Sequence, residues 1–321
     1  MSAPSSGDSR RVVLAALAGN VLIALAKFVA AALSGSAAML AEGVHSLADT
    51  ANQGLLLLGM GLSEKENPDR FPFGRAAERY FWAFVVALLL FSLGGAFAIY
   101  EGIHRLASPP REPESVLVSA AVLVVSLALE AGSFLVAVRE FNRGRAGRPV
   151  LRALLEGRDP TIPIVLLEDT GAVFGLTIAL VAVGVSAVTK SSVADAIGSL
   201  VIGVLLCGIG LLLAWETHGL LIGESATPEM RERAYRAAAA TPGIDAITQM
   251  LTLHLGPDTI VLALKVRFPR HSTVEDVERI TNELEDGVRV AVPEMKKIFV
   301  EADGHYDAAL DPATRRAGAR A

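Results

Sequence analysis

Six stretches of this sequence are apolar for long enough to cross a bilayer: Val12–Leu33, Met39–Leu62, Tyr80–Tyr100, Ser115–Val138, Ile162–Val188 and Val193–Leu221. A helix rises 1.5 Å per residue, so about 20 apolar residues span the hydrocarbon core. Backbone polar groups in lipid must be satisfied within the segment, which makes each run a helix. Across 321 residues, 52% are hydrophobic and the mean hydropathy is +0.47. That balance excludes an ordinary soluble chain and predicts a membrane, all-α, six-helix domain over residues 12–222. The run from Val12 is too long for a secretory signal, so it is expected as a retained helix after a short tail, residues 1–11. The tight loop Ser34–Ala38 predicts that the first two helices form an antiparallel hairpin.

Loop charge sets the orientation. Arg10, Arg11, Lys65, Arg70, Arg75 and Arg79 fall on one side, with Arg139, Arg143, Arg145, Arg148, Arg152 and Arg158. Only Arg105, Arg111 and Lys190 fall on the other. The bias predicts both termini in the cytosol, and for a bacterial chain the inner membrane as the location. The Gly- and Arg-rich stretch Asn142–Pro149 reads as a mobile cytosolic connection. A net charge of -5 argues against a nucleic-acid partner, and no motif calls for a nucleotide. The lone Cys207 can build neither a disulfide framework nor a thiolate cluster, and reads as a small packing residue.

After Leu221 the pattern becomes that of a soluble domain, residues 223–306. Pro228–Ala240 is helix-forming and Pro242-Gly243 stops it. Thr248–Leu255 and Ile260–Phe268 read as strands around the turn Gly256–Thr259. Thr273–Val290 is an amphipathic helix and Lys297–Glu301 a last strand. The αββαβ order predicts an α+β, ferredoxin-like cytosolic domain with its helices on one face of a small sheet. Residues 307–321 are expected to be a disordered tail.

Within the second apolar run stand Glu42, His45 and Asp49, at helical spacings of three and four that put them on one face. The fifth run carries the adjacent pair Glu168-Asp169. Ionisable groups at membrane depth are costly unless they line a cavity or a pathway. Each has a blander reading: His45 hydrogen-bonding a neighbouring helix, or a carboxylate pairing with Lys27. Together, His45, Asp49 and Asp169, with or without Glu168, offer one imidazole and two or three carboxylates. That set suits Zn²⁺, and Mn²⁺, Fe²⁺, Co²⁺ or Cd²⁺ also accept it. Ligands must be deprotonated to hold a metal, so such a site exchanges H⁺ for metal, as an antiporter requires. Glu42 serves either as a ligand or as a partner of His45. Asn20 reads first as a bond across helices.

These features, in order, resemble the cation diffusion facilitator family. The resemblance rests on His45-Ser46-Leu47-Ala48-Asp49, on Gly19-Asn20 and Lys27, on Phe71-Pro72-Phe73-Gly74-Arg75 with Glu78, and on Asp195–Ser199. It covers about residues 10 to 305. It implies a homodimeric exporter of divalent cations, Zn²⁺ foremost, driven by H⁺ and alternating around a site at mid-membrane. His45 and Asp49 carry over as ligands. Where the family has a fifth-span histidine this chain has Val165, and Glu168, about 60° away on the helix, is the substitute. The Glu-Asp pair is similar to the branch containing zinc transporter 9. The loop motif lacks its two histidines, with Phe71 and Arg75 in their places, so no second metal is expected there. His271 matches one cytosolic ligand of the family, but Val300 stands at another, and His254 and His305 read as structural or exposed. A non-transporting metal sensor or scaffold is the alternative function. No nucleophile motif points to an enzyme.

Overall fold

The computed structural model describes residues 6–34, 37–107, 116–145, 147, 149–155, 157–191 and 193–303. It divides into two compact units between Gly219 and Leu220.

The first unit is helical: α1 Ser6–Ser34, α2 Ala37–Ser63, α3 Glu78–Leu89, α4 Phe97–Ala107, α5 Val116–Gly144, α6 Val150–Leu155, α7 Thr161–Thr189 and α8 Val193–Ile222. A π-helical stretch, Leu90–Ala96, joins α3 to α4 without a break. Among the described residues, four helices are long and apolar enough to cross a membrane: Glu78–Ala107, Ser119–Gly144, Thr161–Thr189 and Val193–Ile222. In α1 the qualifying apolar run, Val13–Val29, is shorter.

α1 and α2 run antiparallel. Arg10 meets Glu64 at 3.8 Å, Lys27 meets Ser46 at 2.7 Å, and Phe28 packs on Gly43, so residue numbers rise on one helix as they fall on the other. A Cβ at Gly95 would lie 2.5 Å from Cys207 Sγ, and one at Gly203 would lie 2.7 Å from the backbone N of Ile99. Glycine at both positions lets the third apolar helix and α8 touch backbone to backbone, the way small residues serve helix packing in lipid. Cys207 is a packing residue here, its Sγ 3.8 Å from the Phe91 carbonyl oxygen.

α5 continues well past Val138, to Gly144. The reason is apolar spacing: Phe134, Ala137, Val138 and Phe141 recur at three and four, and Phe141 is in the core cluster. The expected mobile connection therefore starts later, and α6 follows directly after it; Ala146 and Arg148 fall outside the described residues. At the start of α7, Arg79 forms a buried ion pair with Asp159 at 2.8 Å, and the Tyr80 hydroxyl donates to the Arg158 carbonyl oxygen at 3.0 Å.

The second unit has the order α9 Pro228–Ala239, β1 Ala246–Gly256, β2 Thr259–Arg267, α10 Val274–Ala291 and β3 Lys297–Ala302. β1 pairs antiparallel with β2 through a tight turn, and β2 pairs parallel with β3, with α10 as the crossover. β2 is central, and its alternate residues Ile260, Leu262, Leu264 and Val266 are buried. They pack with Ala234 and Ala238 of α9 and Leu284 and Val288 of α10, so both helices cover one sheet face. Thr273 caps α10 in a capping box with Asp276. His254 is buried, with Nδ1 3.2 Å from the Gly256 carbonyl oxygen, a structural position. His271 is exposed, and His305 lies outside the described residues.

Candidate metal centre

α2 is amphipathic in a membrane sense. Ser46, Asp49, Asn52 and Gln53 are buried, whereas Leu47, Ala48 and Ala51 between them are exposed. Spacings of three, four and seven place the polar group on one stripe, turned inward. The side chains of Glu42 and His45, on the same helix, lie outside the described residues.

α7 meets this stripe with its two carboxylates. Glu168 is 5% exposed and Asp169 2%. Asn52 Nδ2 donates to Glu168 Oε1 at 2.7 Å, which ties α2 to α7. Ser133 Oγ of α5 donates to Asp169 Oδ2 at 3.0 Å. Each acid is therefore oriented by a neutral donor from a different helix. Glu168 Oε2 is buried and has no hydrogen-bond partner among the described residues. A buried acceptor left without a donor costs about 1–3 kcal/mol, more for a charged group, so a lone pair of this kind suits a cation.

Asp49, Asp169 and Glu130 all bear electrostatically on Glu168, and Glu130 and Asp49 on Asp169. Asp49, Glu168 and Asp169 thus stand within electrostatic reach of one another. Among the described residues no three His, Cys, Asp or Glu side chains stand close enough together to hold a metal ion. Asn20 is buried in α1, and its Oδ1 has no hydrogen-bond partner among the described residues.

Val165 is fully buried and belongs to the apolar core cluster, along with Leu56, Met60, Val86 and Leu213. The residue one turn later, Glu168, is the one that reaches the α2 stripe.

Asp49, Glu168 and Asp169 have neighbours the sequence reading passed over. Glu130 is 3% exposed in α5, and its Oε1 lies 3.7 Å from Lys27 Nζ. Its signal was present, since it is an acid in the middle of the fourth apolar run. Asn52, Gln53 and Ser133 gave a weaker signal, because uncharged polar residues are common in membrane helices. A carboxylate that does meet Lys27 is that of Glu130.

The loop after α2 is held by its own chemistry. Arg70 and Arg75 lie over the Phe71 ring at 5.4 and 5.0 Å. Glu78 accepts from Arg75 Nη2 at 2.6 Å and from Trp82 Nε1 at 3.1 Å.

Residues 13–222 match the cation efflux transmembrane domain family. The human proton-coupled zinc antiporter SLC30A9, mitochondrial, is 32% identical over 302 residues, covering 92% of this chain and 52% of that protein. The magnetosome protein MamB of Magnetospirillum gryphiswaldense is 25% identical over 290 residues, covering 89% of this chain and 91% of that protein. Among solved structures, a MamM C-terminal domain in its nickel form covers 25% of this chain and 100% of that chain, at 18% identity and a TM-score of 0.24. The chain spans about half the length of the SLC30A9 proteins it matches. The family match starts in α1, ends at the last residue of α8 and takes in both halves of the acidic cluster. The chain is a multi-pass membrane protein of the cation efflux family, the cation diffusion facilitators, on the side of that family where SLC30A9 stands.

Proposed function

We propose that this protein is a proton-coupled antiporter that exports a divalent cation, Zn²⁺ foremost, by alternating access. The observation that carries the reading is the pair of buried acids Glu168 and Asp169, held by Asn52 of α2 and Ser133 of α5 within electrostatic reach of Asp49. His45, one turn before Asp49, completes a set of one imidazole and three carboxylates. That set fits the four-coordinate preference of Zn²⁺. Protons compete with the cation for the same lone pairs, which couples the two fluxes. Mn²⁺, Fe²⁺, Co²⁺ and Cd²⁺ are weaker candidates for the cargo. Glu42 and Asn20 stand behind the ligands in this reading.

In this reading α1, α2, the continuous α3–α4 helix, α5, α7 and α8 make six spans. Both termini and the αββαβ domain, ferredoxin-like in order, are cytosolic, as the loop charges favour. The protein acts as a homodimer in a bacterial inner membrane, with no nucleotide and no enzymatic step. The domains run 1–11, 12–222, 223–306 and a tail over 307–321.

Proteoliposomes with a pH-sensitive dye inside test the proposal. Zn²⁺ added outside is expected to drive proton flux, and Asp49→Ala and Asp169→Ala to abolish it. Saturable Zn²⁺ binding without flux under any imposed gradient would overturn the transport reading and leave a metal sensor or scaffold.

A further inference from the structure

The acidic cluster has a basic neighbour. Lys27 of α1 is 1% exposed. Its ammonium donates to Ser46 Oγ at 2.7 Å and stands 3.7 Å from Glu130 Oε1. A lysine in a membrane helix ordinarily extends its flexible stem toward water. Here it is held at depth by two other helices. A buried pair of this kind is a weak source of stability, because desolvation offsets the attraction, while removing one partner strands the other charge. The pair therefore calls for a reason beyond packing.

Glu130 supplies one. It lies one turn before Ser133 on α5, and Ser133 holds Asp169. Glu130 acts electrostatically on both Glu168 and Asp169. It is a fourth carboxylate at the margin of a centre whose other three serve as ligands in the reading above. A fourth carboxylate would change the chemistry of that centre. Zn²⁺ favours four ligands in a tetrahedron and accepts nitrogen. Mn²⁺ and similar harder ions favour more ligands, all of oxygen.

We propose that Lys27 is a specificity-determining residue: its ammonium, fixed by Ser46, engages Glu130 and keeps that carboxylate out of the cation's coordination shell. The centre then stays matched to Zn²⁺ and rejects harder divalent ions. The inference rests on Asp49, Glu168 and Asp169 being ligands. Without the ammonium, Glu130 becomes a buried carboxylate beside the entering cation, and coordinating that cation neutralises it.

The test is the ratio of Zn²⁺ to Mn²⁺ affinity, measured by competition with a fluorescent chelator on the purified full chain. Lys27→Gln is expected to narrow the ratio about tenfold or more, the size of effect seen for groups that orient metal ligands. Lys27→Gln/Glu130→Gln is expected to return it to the wild-type value, since no spare carboxylate is left. An unchanged ratio in Lys27→Gln overturns the inference, as does a ratio that stays narrow in the double variant. Ser46→Ala keeps both charges and loosens the ammonium, and is expected to narrow the ratio about threefold. If Lys27→Gln does not fold, an unchanged ratio in Ser46→Ala overturns the inference. Asp169→Ala separates the two levels of the argument. Zn²⁺ affinity indifferent to Asp169→Ala overturns the metal centre itself, whereas an Asp169-dependent affinity with an unchanged ratio in Lys27→Gln overturns the role of Lys27 alone.

Discussion

Glu168→Gln isolates the charge of the residue proposed in place of the family's fifth-span histidine. The glutamine keeps the volume, and its Oε1 can still accept from Asn52 Nδ2, so the tie between α2 and α7 persists. What is lost is one negative charge at the centre. A unit charge about 4 Å from a divalent cation, at an effective dielectric near 20, contributes about 8 kcal/mol. Against this stand relaxation of the site and water admitted beside the cation in the variant, which leave a net loss of about 3 kcal/mol, or roughly a hundredfold in Kd. Isothermal titration calorimetry of Zn²⁺ into the purified protein measures it. The metal-free variant should melt no lower than the wild type, because a buried charge with an unsatisfied oxygen has been removed. A Zn²⁺ affinity within threefold of wild type would refute the claim that Glu168 is a ligand.

Two further outcomes follow from the same structure. Val165→His, placed in a Glu168→Ala background, should fail to restore Zn²⁺ binding and should lower stability by about 1–3 kcal/mol, because Val165 is fully enclosed in the apolar core; rescue to wild-type affinity would refute this. The Thr273 backbone N–H, its hydroxyl and Arg279 hold the Asp276 carboxyl below its ordinary value of 3.8, so the capping box contributes stability above that value and loses it as pH falls through the lowered one. Asp276→Asn should therefore reduce amide protection at the start of α10 at neutral pH and show no further loss on acidification through that range, and protection that falls with pH as in the wild type would count against the cap.

The elements were legible where a single periodicity ruled. Apolar runs gave the helices, and β2 showed alternate burial at Ile260, Leu262, Leu264 and Val266 because one sheet face takes both helices. Helix ends were less legible. α5 runs on to Gly144 because Phe141 still finds the core, which no local breaker signals. At the centre, charge was the readable sign: Asp49, Glu168 and Asp169 stand out in apolar helices. Asn52 and Ser133 do not, because their role depends on which helices become neighbours. α5 packs along α7, and only that contact makes Ser133 a donor to Asp169. Glu130 was readable and was missed because its own run carried no second ligand to form a motif.

In the proposed reading, valine at position 165 with glutamate at 168 is best understood from the helix rather than from either residue. Val165 is fully buried within the apolar core cluster that also holds Leu56, Met60, Val86 and Leu213, a poor setting for an imidazole. Glu168 lies three residues on, about 60° around the axis and about one turn along it. A longer, acidic side chain from there reaches the α2 stripe, where Asn52 fixes one oxygen and leaves the other free among the described residues. The substitution therefore carries consequences as a set. It replaces a neutral ligand with a charged one, it requires a donor at position 52 to aim it, and it raises the negative charge of the centre. A nearby positive charge becomes useful once that charge has risen, and Lys27, reaching Glu130 from α1, provides it. In the proposed reading, Val165, Asn52, Glu168, Glu130 and Lys27 form one linked choice of ligand chemistry, in which a change at any member alters what the others must do.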